Sequence, residues 1–184
     1  MNICIFPGTF NPIHSGHIAM AQFALDKYRF DKIIFIPSYI PPHKNIDKDL
    51  ATHRFNMVQL ALADYSQFEV SDIEYKSEGK SYSLITVKKI IEQYQLNSRL
   101  NFIIGTDAFE KIDTWYEAGE LKKLVHFIVF NRNEGIKFVP ESCDYEMAGM
   151  DFIDISSTEI REGKYFPINK NVEDYIKKHG LYKI

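Results

Sequence analysis

Short apolar runs alternate along this chain with stretches in which apolar residues recur every three or four positions. Residues 2–6, 32–36, 99–104 and 125–130 are runs rich in Ile, Val and Phe, which read as strands buried on both faces. Residues 68–75 begin as a strand and continue with alternation, and residues 152–155 predict a short last strand. Helical spacing fills the intervals. Ile18, Ala21, Leu25 and Tyr28 follow the first run, and Phe55, Val58 and Leu62 mark a helix over 50–64. Leu84, Val87, Ile90 and Ile91 face inward from a helix over 83–94. Short helices at 109–112 and 116–121 flank Trp115. Ser156 or Ser157 can cap a helix with Glu159 close behind, and residues 172–179 form a final helix closed by Gly180. Strands followed by helices predict an α/β fold. The expectation is a Rossmann-like, doubly wound, mainly parallel sheet of five or six strands flanked by helices. The 184 residues suit a single domain over 1–184.

Composition changes this picture only by exclusion. With 22 basic and 25 acidic residues the net charge is −3, which argues against a general nucleic-acid or membrane surface. An anionic ligand would then need a local cluster of basic groups. Two cysteines supply no disulfide framework, and neither a signal peptide nor a run of about 18 apolar residues is present, so a cytoplasmic protein is expected.

Polar residues that a fold does not need collect after the strands. The first loop reads Pro7-Gly8-Thr9-Phe10-Asn11-Pro12-Ile13-His14-Ser15-Gly16-His17. A strand, a tight Gly/Pro loop and a helix start together favour an anion, through unpaired N–H groups and the helix dipole. It is neither a Walker A loop nor a Gly-x-Gly-x-x-Gly fingerprint. His14 and His17 could instead share a metal, but zinc wants three or four ligands and neither Cys4 nor Cys143 stands at a ligand spacing. A capped helix with two exposed histidines is the bland alternative. Pro41-Pro42-His43-Lys44 follows the second strand, Gly105-Thr106-Asp107 with nearby Trp115 the fourth, and Ser156-Ser157-Thr158 with Arg161 the last. Taken singly these read as a solvated turn, a core tryptophan and a helix cap. Strand ends of one parallel sheet share an edge, so together they border one cleft. Lys44 and Arg161 bring charge, and the histidines bring donors. No Ser/His/Asp set and no carboxylate pair is evident. This is equipment for phosphoryl or nucleotidyl transfer, where positioning and charge stabilisation carry the catalysis.

The positions Gly8, Phe10, Pro12, His14, Gly16 and His17 resemble the Gly-x-Phe-x-Pro-x-His-x-Gly-His signature of the nucleotidyltransferase superfamily. Pro37-Ser38 with Pro41-Pro42-His43-Lys44, Gly105-Thr106-Asp107 with Trp115, and Ile155 to Arg161 are similar to signatures of bacterial nicotinate mononucleotide adenylyltransferases. The resemblance extends over Ser71-Asp72-Ile73-Glu74, residues 79–83 and the C-terminal Val172, Tyr175-Ile176 and Gly180-Leu181-Tyr182. It implies adenylyl transfer from ATP to nicotinate mononucleotide. His14, His17, Lys44 and Arg161 are then the catalytic residues. ATP is met by Gly8, Thr9, Phe10, His14, His17, Gly105, Asp107, Ile155, Ser157, Thr158 and Arg161. The mononucleotide is met by Asn11, His43, Lys44, Tyr82, Ser83, Trp115 and Arg132, with Trp115 stacking on the pyridine ring. Asp107 contacts a ribose or supports metal-bound phosphates. Mg²⁺ travels with the ATP phosphates and has no dedicated protein cage. A homo-oligomer is compatible with the resemblance, and no nucleic-acid or membrane partner is implied. Ser83 stands where the family usually has Thr, Ile85 where it has Asp and Asn133 where it has Pro. Two rivals remain: a relative with another phosphate acceptor, and a nucleotide sensor without catalysis.

Overall fold

Residues 1–42, 49–77, 79–131, 135–151, 155–164 and 168–183 are described by a computed structural model. The apolar runs form β1 (Ile3–Gly8), β2 (Lys32–Pro37), β4 (Leu100–Gly105) and β5 (Val125–Phe130), with shorter β3 (Phe68–Val70) and β6 (Tyr145–Met147). All pairings among them are parallel, in the order β3-β2-β1-β4-β5-β6. The six-stranded parallel sheet matches the doubly wound expectation. The order reverses direction between β1 and β4, and ligands of such sheets bind outside the carboxyl ends of the strands at that crevice.

The period-2 alternation of the strands divides the interior in two. Cys4 and Phe6 of β1, Ile33 and Phe35 of β2, and Ile128 and Phe130 of β5 face one core, completed by α1 (Ser15–Tyr28), α2 (Asp49–Leu62) and α7 (Lys170–His179). Ile5, Ile34, Phe102, Ile104, Phe127 and Val129 face the other, against α3 (Ser83–Gln93) and α5 (Ala118–Leu124). Each such side chain, when fully buried, contributes about 1.5–3 kcal/mol, so both faces of the sheet are committed. Among the described residues no helix is long and apolar enough to cross a membrane.

Several expected boundaries move. The third strand stops at Val70. Residues 71–76 turn instead, with Tyr75 and Lys76 N–H groups bonding the Asp72 carbonyl. The alternation there reflects an inward Glu74 rather than a pleat. The sixth strand is the short, partly exposed edge segment Tyr145–Met147. The last strand expected at 152–155 lies mostly outside the described residues, and Ile155 itself is not in a strand. Around Trp115 the helices are α4 (Thr106–Phe109), a 3-10 turn at Ile112–Thr114, and α5, which begins after Glu117 in the left-handed region. On α2, Phe55 is only half-buried, because Ala51, Arg54, Met57, Val58 and Ala61 form the inward face.

Candidate active site

The loop between β1 and α1 is held from several sides through its own carbonyls. Arg161 Nη1 donates to the Asn11 carbonyl at 2.6 Å, and Ser157 Oγ donates to the Pro12 carbonyl at 3.0 Å. Both donors come from α6 (Ser157–Arg161), which Ser156 caps by accepting from Thr158 N–H at 3.2 Å. Arg54 Nη1 donates to the Thr9 carbonyl at 2.8 Å. Tyr182 donates its hydroxyl to Asn11 Oδ1 at 2.5 Å. Glycine is required where the loop folds on itself. A Cβ at Gly8 would lie 2.8 Å from the Phe10 ring, and one at Gly16 would lie 3.1 Å from His14 Nδ1.

His14 and His17 are 3% and 8% exposed, so the reading with two exposed histidines fails. Their rings lie 3.7 Å apart between centroids at 30°, one helical turn apart at the start of α1. The His14 N–H donates to His17 Nδ1 at 3.2 Å. A backbone N–H can only donate, so Nδ1 accepts, and the proton of the neutral imidazole sits on Nε2. Phe10, itself in the left-handed region, sets its ring edge-on to His17 at 5.1 Å and to Phe6 at 5.4 Å. The histidine faces are thereby fixed by packing, which is what a pre-oriented donor needs.

Arg161 divides its guanidinium between the Asn11 carbonyl and Thr158 Oγ1, the latter at 3.0 Å. The residue expected to hold phosphate thus also braces the loop that carries the histidines. His14, Gly16, Met20, Phe130, Asn131 and Ile155 line a pocket beside it.

A second group ties the β2 loop to the rest. Arg54 is fully buried and donates to the Ser38 carbonyl at 2.6 Å and the Tyr39 carbonyl at 3.1 Å, besides Thr9. Burial pulls its guanidinium below the ordinary value, opposed by nearby Tyr75, Tyr182 and Glu74. Buried Glu74 accepts from Thr86 Oγ1 at 2.8 Å and from Tyr39 N–H at 3.3 Å. Burial pushes its carboxyl up, while hydrogen bonds from Ser81, Thr86 and Tyr39 and the charge of Arg54 oppose the rise. Ser81 Oγ accepts from the N–H groups of Tyr39 and Ile40 at 3.0 and 3.1 Å. Tyr82 and Ser83, at the start of α3, are therefore anchored to the segment that leads into His43 and Lys44. Arg54 is not singled out by the sequence reading, and Glu74 enters it only as part of a family-like segment read as strand; for Arg54 a signal was present. The signal was a charged residue on the apolar stripe of α2, spaced with Ala51, Met57 and Val58.

The other expected residues are more loosely assembled. Asp107 is exposed at the start of α4, after Gly105 in the capping position. Trp115 is half-buried and packs on the second core, 6.4 Å from the Phe102 ring. The neighbouring Tyr116 lies 4.6 Å from Tyr82, so the Trp115 segment adjoins the start of α3. His43, Lys44 and Arg132 lie outside the described residues.

The family model described as cytidylyltransferase-like matches residues 5–163. A Caldicellulosiruptor saccharolyticus protein named "Probable nicotinate-nucleotide adenylyltransferase" is 39% identical, with 100% of both chains covered. A Staphylococcus epidermidis protein of the same name is 39% identical over 98% of this chain and 96% of its own. Among solved structures, the Plasmodium falciparum nicotinic acid mononucleotide adenylyltransferase complexed with NaAD superposes with a TM-score of 0.78. It is 22% identical, and 98% of this chain and 97% of that one are covered, a likeness of fold.

Proposed function

Because the chain belongs to the cytidylyltransferase-like family, we propose that it transfers the adenylyl group of ATP to nicotinate mononucleotide, making deamido-NAD and releasing pyrophosphate. The observation that carries this reading is the buried, closely packed His14–His17 pair in a loop braced by Arg161. The mononucleotide phosphate is already ionised at neutral pH. Its oxygen forms a bond to the α-phosphorus as the bond to the pyrophosphate oxygen breaks, so no general base is needed.

The protein's task is then to align the two phosphates and to meet the charge that grows on the leaving group. His17, with Nδ1 occupied, turns a donor Nε2–H to the phosphates. His14 lies against it, and Arg161 adds fixed positive charge. Lys44, His43 and Arg132 meet the mononucleotide phosphate, Asn11 borders it, and Trp115 stacks on the pyridine ring. Tyr82 and Ser83 face the ring's acidic edge from the start of α3, where backbone N–H groups favour negative charge.

Mg²⁺ enters with ATP. Asp107 is an exposed carboxylate in the first turn of α4, directly after β4. An ion that keeps several waters and is held chiefly by substrate phosphates needs one or two carboxylates at most, and Asp107 could supply one. When bound, the ion neutralises charge on the triphosphate. The test is pyrophosphate release from ATP, Mg²⁺ and nicotinate mononucleotide, run beside phosphopantetheine and, with CTP, glycerol phosphate. Release only with another acceptor, or with none, refutes the assignment.

A further inference from the structure

The C-terminal residues reach back into the nucleotide site. Val172 and Ile176 of α7 are fully buried in the first core, which seats the helix beside α2. Gly180, in the left-handed region, ends α7, and its successor Leu181 donates N–H to the Ile176 carbonyl at 3.0 Å. The chain then runs along α6. Lys183 N–H donates to the Arg161 carbonyl at 3.2 Å. Gly163 leaves room for this, since a Cβ there would lie 2.6 Å from the Lys183 carbonyl oxygen. The route delivers Tyr182 to Asn11, 171 residues away in sequence, with a hydroxyl-to-Oδ1 distance of 2.5 Å.

This bond decides how the Asn11 amide points. A side-chain amide has one accepting and one donating end. The Tyr182 hydroxyl has a proton to give and occupies the accepting end. Burial pushes that hydroxyl up to about 12, against the opposing charges of Arg54 and Arg161, so it remains a donor across the working pH range. Asn11 Nδ2 bonds no other described residue, which leaves the donating end of the amide for a ligand. The Asn11 backbone is held separately, by Arg161 on its carbonyl. One side chain thus fixes the position of Asn11, and another fixes the direction of its amide.

We propose that Tyr182 is a positioning residue for nucleotidyl transfer: it fixes the Asn11 amide so that its NH₂ faces an anionic oxygen of the phosphate acceptor. The inference rests on Asn11 lying at the acceptor, as in the proposed function. The bond is local to Asn11, so its loss should fall on the acceptor and spare ATP.

The experiment is a double-mutant cycle of Tyr182→Phe and Asn11→Ala, with the mononucleotide varied at saturating ATP and the reverse. Phenylalanine keeps the ring packing and removes only the hydroxyl, and a urea midpoint confirms that the variant is folded. Tyr182→Phe should raise KM for the mononucleotide about 5- to 10-fold, as for one lost uncharged hydrogen bond, and change KM for ATP by less than about twofold. Asn11→Ala should do at least as much, and the double variant no more than Asn11→Ala alone. Independent, multiplying effects would overturn the inference while leaving Asn11 at the acceptor. A folded Tyr182→Phe enzyme with unchanged kinetics would also overturn it. A silent Asn11→Ala would instead remove Asn11 from the site and take the premise away.

Discussion

Replacing Arg54 with Met tests whether the two loops of the cleft are held from beneath. Methionine fills much of the same space but donates nothing. It strands the carbonyls of Thr9, Ser38 and Tyr39, which now accept at 2.8, 2.6 and 3.1 Å. A hydrogen bond from a charged donor is worth about 1.5–3 kcal/mol, so three would nominally lose about 4.5–9 kcal/mol. That sum is too large, because loop carbonyls can recover water. Breaking a buried charged network from one side typically costs about 3–5 kcal/mol, and about 4 is the expectation. Against a total stability of about 5–15 kcal/mol the protein stays folded but weakened. In urea, with a slope near 2 kcal/mol per molar, the midpoint should fall by about 2 M. Arg54→Lys keeps the charge without the fork and should lose roughly half as much.

Glu74 adds a pH signature to this test. Its carboxyl is raised in the fold, so its stabilising contribution is complete below its ordinary value of 4.5 and is lost as pH rises through the folded value. Glu74→Gln should therefore flatten the fall in stability above pH 4.5. Arg54→Met removes a charge that opposes the shift, and should extend that fall to higher pH. A midpoint within about 0.3 M of wild type for Arg54→Met, or an unchanged pH profile for Glu74→Gln, would refute the reasoning.

His17→Ala should lower kcat by about 10²-fold with little change in KM for ATP, because an oriented donor acts where charge develops; steady-state kinetics with intact folding checks it. Gly16→Ala places a Cβ 3.1 Å from His14 Nδ1 and should cost about tenfold or more in kcat/KM with a small shift in thermal midpoint. A large thermal shift with normal turnover would contradict that reading. Nicotinate mononucleotide should be preferred over its amide by about 10²-fold in kcat/KM, because the Tyr82–Ser83 segment offers donors to a carboxylate and would leave a carboxamide NH₂ unpaired. Equal kcat/KM values in parallel assays would show that the pocket has the opposite polarity.

Local patterns were enough for the four central strands and the longer flanking helices. β1, β2, β4 and β5 are apolar on both faces, and such runs have no stable place except between two layers. Gly8, Phe10, Gly16 and the two histidines were equally visible, since their spacing is contained in one loop. What the chain order hid was everything set by contacts between distant segments. The Tyr145–Met147 strand is only three residues long and partly exposed, too short for a periodic signature, and its place comes from pairing with β5. Residues 71–75 look pleated, yet the Glu74 carboxylate is drawn inward to Tyr39 and Thr86, and that ends the strand. Arg54 reads as a polar residue at a helix start until three carbonyls from two loops converge on it. Tyr182 reads as a tail residue until the chain returns to Asn11. Hydrophobic periodicity reports which face of an element is buried. The partners of a buried polar group depend on which loops the fold brings together, and only the tertiary structure decides that.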